Sequence, residues 1–218
     1  MKSHTITALL ALGYAGSLQA ALVIDGNGVV NGVVAIASTE YSVAQAASNL
    51  TNNSGLSASY DTLATHASHH QAGNMWHGAD GDVTPFVVFD LGGAANLLGI
   101  YIWNGIQNTD QSTLDRGVKD FDLSFSADNI TYSTVSNYTL TKSVSALHPL
   151  TGSNSAQTFD LSAQDGMQYV KLTVTNTYNS SNQYATLSEV MFTAAAVPEP
   201  SAALLGGLGL LGLLRRRR

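Results

Sequence analysis

Lys119-Asp120-Phe121-Asp122-Leu123-Ser124-Phe125-Ser126 places an apolar side chain at every second position. A strand turns successive side chains to opposite faces, so this alternation reads as a β-strand with one dry face and one wet face. Tyr169-Val170-Lys171-Leu172-Thr173-Val174-Thr175 repeats the pattern. Phe86-Val87-Val88-Phe89-Asp90-Leu91 and Leu97 to Trp103 are more continuously apolar, as strands covered on both faces are. Asp128-Asn129 suits a tight hairpin turn just after the first of these strands. Val23 to Val30 reads as an earlier hairpin. Gly92-Gly93 and Gly152-Ser153-Asn154-Ser155 read as breaks between strands. The polar run from Ser48 to Gly73 reads as long loops, which gather at the ends of a sandwich. No stretch of this region holds a capped 3.6-residue period. The fold class is therefore all-β, a β-sandwich or barrel.

The ends of the 218-residue chain differ from the middle. Residues 1–20 pair a short basic start with an apolar run from Ile6 to about Leu18, the layout of a secretory signal peptide with a signal helix. About 14 apolar residues reach roughly 21 Å as a helix, short of the ~30 Å hydrocarbon core. Residues 197–218 read Val197-Pro198-Glu199-Pro200, then an apolar helix, then Arg215 to Arg218. An arginine cluster after an apolar segment stays in the cytoplasm and leaves the preceding chain outside. This ordered set resembles the PEP-CTERM sorting signal, with Pro198, Glu199 and Pro200 as the sorting triplet. The resemblance implies processing by an exosortase-type protease and transient inner-membrane anchoring. It further implies a secreted or cell-surface location in a Gram-negative bacterium that makes exopolysaccharide.

Between the ends lies one domain, residues 22–194, with four basic and fourteen acidic residues. Lys119, Lys142, Lys171 and Arg116 are too few to neutralise a phosphate backbone, so nucleic acid is excluded as a partner. The chain has no cysteine, which excludes disulfides, thiolate zinc sites and thiol nucleophiles. His66, His69, His70 and His77 crowd a short span, but the His-Glu-x-x-His zinc pattern is absent. These are read as polar loop histidines, with His77 beside Trp76 as a sugar-hydroxyl contact. With only Glu40 and Glu189 as glutamates in the domain, and no Gly-x-Ser-x-Gly elbow or phosphate loop, the chain is expected not to be an enzyme.

Five pieces occur in the order of the discoidin, or coagulation factor 5/8 type C, family. They are Asn49 to Leu56, Met75-Trp76-His77, Pro85 to Gly92, Arg116 to Phe121 with Ser126 to Asn129, and Leu187-Ser188-Glu189-Val190. The chain resembles that family from about residue 33 to 194. The resemblance implies a galactose-binding-like antiparallel jelly-roll sandwich of about eight strands. It implies one structural Ca²⁺, with Glu189 in the family's Glu position and Asn52, a departure, in its Asp position. An amide oxygen can coordinate but brings no charge. The family's ligand surface lies on loops at one end, where sugars meet aromatic rings and planar polar groups. Here Trp103, Asn104 and Gln107 leave one strand, Tyr178 and Asn179 open a second loop, and Arg116 follows later. Asn104 and Gln107 stand where sugar-binding relatives often carry an arginine.

The expected function is thus a non-catalytic module of the cell surface or matrix that binds glycan or exopolysaccharide. The alternative is a structural or adhesion protein that binds protein partners and has no small-sugar site.

Overall fold

The computed structural model describes residues 22–67, 73–105, 114–143, 153–178 and 184–196. The signal helix and the C-terminal apolar helix lie outside the described residues, as do Pro198, Glu199 and Pro200. Among the described residues no helix is long and apolar enough to cross a membrane.

The strands are β1 (Val23–Ile24), β2 (Val30–Asn31), β3 (Val34–Ala37), β4 (Thr65–Ala67), β5 (Trp76–His77), β6 (Phe86–Asn104), β7 (Val118–Ser126), β8 (Ser133–Thr139), β9 (Ser153–Ser155), β10 (Gln157–Asp160), β11 (Met167–Thr177) and β12 (Thr186–Ala196). The strand pairs are antiparallel. One layer is ordered β3-β6-β11-β7-β8 and the other β5-β12-β6-β10. The first half of β6 pairs with β3 and β11, and its second half with β10 and β12. The two layers are therefore joined through one 19-residue strand.

That continuity corrects the reading of Gly92-Gly93 as a break between two strands. Gly92 has φ +82°, and its N–H donates to Asp90 Oδ1 at 2.9 Å. A Cβ on Gly93 would sit 3.1 Å from that of Leu22. The pair bends the strand from one layer into the other without ending it. Ser153–Ser155, also read as a break, forms β9 and pairs with β4. The Asp128-Asn129 turn forms as expected. Asn129 has φ +61°, and Asp128 Oδ1 accepts from the N–H groups of Ile130 and Thr131.

The core follows from the alternation. In β11, Val170, Leu172 and Val174 are buried, while Tyr169, Lys171 and Thr173 are only partly so. Phe89 meets Phe192 across the layers at 5.3 Å, edge to face, and Phe121 meets Phe159 at the same distance. Each fully buried phenylalanine stabilises by about 2–3 kcal/mol before chain entropy is counted. Trp76 closes one end, with Nε1 donating to Thr39 O at 3.1 Å.

Candidate functional site

The start of β12 is the structural centre of one end of the sandwich. Thr186 pairs with His77, and Leu187 pairs with both Trp76 and Asn104. Thr186 N–H donates to Arg116 O at 3.0 Å, which brings the turn before β7 alongside. Tyr41 N–H donates to His77 O at 2.8 Å, which fixes the segment before the first 3₁₀ turn. Four separate chain segments thereby converge.

Their side chains form one cluster. The His77 ring lies 5.0 Å from Tyr41 and 4.7 Å from Tyr184, and the two tyrosines stand 6.0 Å apart. The Arg116 guanidinium sits 4.7 Å above the Tyr184 ring, a cation–π contact. The Tyr184 hydroxyl is hydrogen-bonded to Asp80. Burial first, and then Asp80, push the Tyr184 phenol above its usual range. Burial lowers the His77 pKa, and the Arg116 charge lowers it further. His77 Nδ1 faces Gly78 O at 2.9 Å, so a neutral ring donates there and keeps Nε2 as an acceptor. His77 is 2% exposed and lies beneath the rings, whereas Tyr41 is 55% exposed and offers an apolar face to solvent.

Tyr178 forms the flank. Its hydroxyl donates to Leu140 O, and Lys142 lies over its ring while pairing with Asp115. Among the described residues this end carries Arg116 and Lys142 against Asp80, Asp115, Glu40 beside Tyr41, and Asp82 bonded to Thr39, an acidic excess.

Three expected ligand contacts are corrected, the first being His77, which is buried beneath the rings and is not the expected sugar-hydroxyl contact. Trp103 is fully buried, with Nε1 donating to Ala64 O at 2.9 Å. It packs with Val29, Ala64 and Met191 and cannot be a surface platform. Asn104 is fully buried too. Its Nδ2 donates to Val118 O at 2.8 Å and Thr141 O at 3.0 Å, and its Oδ1 accepts from Gly105 N–H. Every group of that amide ties loops together. Gln107 and Asn179 lie outside the described residues.

The expected metal residues sit deeper along β12. Glu189 is 1% exposed. Its Oε1 accepts from Asn53 N–H at 3.3 Å, while Oε2 is buried without a hydrogen-bond partner. Burial raises its pKa to about 8. It lines a small cleft with Gly32, Val33, Thr51 and Asn53. Asn52 turns its carboxamide elsewhere: Oδ1 accepts from Ser54 N–H at 2.7 Å and Nδ2 donates to Gly73 O at 3.0 Å. The structure therefore does not bring the Asn52 amide onto Glu189. Among the described residues no three His, Asp or Glu side chains gather. His66 is buried under Gly55, with Nδ1 facing Ala67 O, and His69 and His70 lie outside the described residues.

Tyr41, Asp80 and Tyr184 were not among the expected site residues. Tyr184 lies in the loop that Tyr178 opens, which was a usable signal. Tyr41 and Asp80 carry none, since only tertiary pairing brings them together.

The F5/8 type C domain profile matches residues 37–190. The chain belongs to the F5/8 type C domain family. Its last residues, 196–218, match the PEP-CTERM protein-sorting motif, which implies export and surface sorting through an exosortase. No curated protein matches the chain. Among solved structures it is similar to CpGH89CBM32-5 from Clostridium perfringens, in complex with GalNAc-β-1,3-galactose. That match has TM-score 0.51 at 13% identity, covering 74% of this chain and 95% of that one. CBM32-3 from a family 31 glycoside hydrolase of Clostridium perfringens matches with TM-score 0.52 at 17% identity, over 78% and 96% of the two chains. The lectin domain of Lectinolysin, complexed with Lewis B antigen, matches with TM-score 0.51 at 16% identity, over 76% and 95%. At these identities the likeness shows the fold alone, a CBM32-like β-sandwich.

Proposed function

We propose that this chain is an exported, non-catalytic carbohydrate-binding module that meets glycan at the Tyr41, His77, Arg116 and Tyr184 end. The domain occupies residues 22–194, between a signal of residues 1–20 and a sorting tail of residues 197–218. The single observation that carries the reading is the aromatic cluster with its guanidinium at that end. An exposed ring packs against sugar C–H faces, and a guanidinium donates to ring and hydroxyl oxygens. The acidic excess at this end favours an uncharged glycan, such as a neutral exopolysaccharide, over an anionic one. The sugar-binding relatives support the reading through their shared fold.

The Glu189 cleft suits one structural Ca²⁺. Its orphaned carboxylate oxygen would bind the ion, with main-chain oxygens of the cleft completing the shell and Asn52 standing aside. Bound there, the ion would supply a fixed positive charge that neutralises Glu189 and holds the 51–53 turn. After export the tail is expected to be cut by an exosortase, so the precursor is held transiently at the inner membrane.

The competing structural or adhesion reading draws on one observation. Edge strand β3 exposes Val34 at 56% and Ile36 at 65%, an apolar strip of the kind that pairs with another chain. A glycan array with the wild type and Arg116→Ala, each with Ca²⁺ and with EDTA, separates the two. Binding to glycans that is lost in the variant supports the module. No binding to any glycan by a folded wild type supports adhesion.

A further inference from the structure

β12 joins two functions at opposite ends. Its first residue, Thr186, pairs with His77 beneath the tyrosine cluster. Its last, Ala196, pairs with Ala95 at the far end of the sandwich. The eleven residues between those ends span about 33 Å at strand rise. Beyond Ala196 only Val197-Pro198-Glu199-Pro200 precede the apolar run that begins at Ser201. Fully extended, that tether reaches about 17 Å.

We infer that the membrane-held precursor can display its glycan site only away from the bilayer. The inference rests on the tail-anchored precursor proposed above. For the tyrosine cluster to face the membrane, the far end with Ala196 would have to stand about 33 Å above the surface. The tether is about half that long, so the inverted pose is closed to the molecule. Upright and tilted poses remain, and in these Tyr41 and Arg116 project toward the matrix. Among the described residues the far end carries Asp25, Asp128, Asp160 and Asp165 against Lys171, whose ammonium lies 4.4 Å over the Tyr132 ring, so its net charge is negative and anionic lipid does not hold it flat against the surface. The precursor is therefore competent to capture glycan before its tail is cut. Cutting changes where the module resides and leaves its affinity unchanged. The partner at this stage is a neutral glycan extending from outside the membrane, not a lipid-borne headgroup sugar at the bilayer surface.

The chain has no cysteine, so single labels can be placed cleanly. Val43→Cys, two residues from Tyr41 and 94% exposed, marks the site end. Ala163→Cys, exposed beside Gln164, whose carbonyl accepts from Leu97 N–H, marks the tail end. Each tail-bearing variant, with residues 1–20 removed, is embedded in nanodiscs of phosphatidylethanolamine and phosphatidylglycerol whose headgroups carry an energy-transfer acceptor. Strong transfer from residue 163, with transfer lost at residue 43, is the expected result. Equal transfer, or stronger transfer from 43, overturns the inference and leaves glycan binding standing. A chain that does not enter the discs overturns the anchoring on which the inference rests. Glycan affinity of the embedded chain, measured beside that of a chain ending at Ala196, is expected to be the same. A loss of affinity in the embedded form overturns the claim of precursor competence, whereas absence of binding in both forms counts against the glycan reading instead.

Discussion

The guanidinium of Arg116 lies 4.7 Å above the ring of Tyr184, although 68 positions separate them in the chain. The contact exists because the backbone of Arg116 also accepts a hydrogen bond from Thr186. The backbone thus carries the register, and the side chains are left for the proposed glycan contact. Replacing Arg116 with alanine leaves the backbone bond intact and removes the charge. Glycan affinity should fall about tenfold or more, equal to ~1.4 kcal/mol, with Tm little changed. Arg116→Lys should not restore it, because a lysine ammonium lacks the planar fork. Isothermal titration with the best array glycan measures both.

His77 makes the site pH-sensitive on the acid side. Burial, aided by Arg116, holds its pKa below 6.5. A histidine depressed in the folded state contributes stability that is full above pH 6.5 and is lost as pH falls through the folded pKa. In a Glu189→Gln background, which removes the opposing slope of that carboxylate, Tm should be flat from pH 8 to 6.5 and should fall below that. His77→Phe keeps a ring between Tyr41 and Tyr184 and should flatten the acid fall. His66, which is also depressed by burial, contributes a residual slope in both proteins. Scanning calorimetry across pH on both proteins tests the assignment.

Glu189 acts in the opposite direction. Its pKa is raised to about 8 from 4.5 in the metal-free chain. A raised pKa contributes stability that is full below the unfolded value and is lost as pH rises through the folded one. In EDTA, this contribution to stability should therefore decline between pH 4.5 and 8, by an amount on the order of a few kcal/mol. Ca²⁺ should raise Tm most at the alkaline end, where the carboxylate is ionised. Glu189→Gln should abolish both the decline and the Ca²⁺ response.

Gly105 and Asn104 offer a structural control. A Cβ on Gly105 would stand 1.9 Å from Thr186 Oγ1 and 2.7 Å from Thr186 O. Gly105→Ala should cost about 1–3 kcal/mol by overpacking. Asn104→Ala strips the carbonyls of Val118 and Thr141 of a donor and should cost about as much. Urea unfolding should show both losses. Asn104→Ala should lower affinity only in proportion to unfolded protein, since its amide does not reach the surface.

The strands were legible because one wet face and one dry face leave an alternating record, as in Lys119 to Ser126 and Tyr169 to Thr175. The continuity of β6 was not. A glycine pair signals a turn locally, and only the second layer, waiting to accept Asn96 to Asn104, turns that signal into a bend. Trp103 and Asn104 were misread for a related reason. They end a strand at the site end, but the β4–β9 ribbon covers them: Trp103 reaches Ala64 O just before β4, and Asn154 of β9 donates to Asn104 O. His77 and Arg116 were both named from the sequence, and the structure brings them into one cluster around Tyr184. Tyr41 and Asp80 were not, because each sits in a polar stretch without a pattern of its own. Glu189 was placed correctly on the closing strand, yet the direction of the Asn52 amide depends on an Asx turn with Ser54.

The central claim is that the tyrosine-lined end binds an uncharged glycan. Titration of the best neutral polysaccharide from the glycan array into the tail-free domain, beside Tyr41→Ala and Arg116→Ala, tests it most directly. Saturable binding by the wild type, weakened about tenfold in each variant while folding is retained, is the predicted result. Equal binding by all three proteins, or none by any, would contradict it.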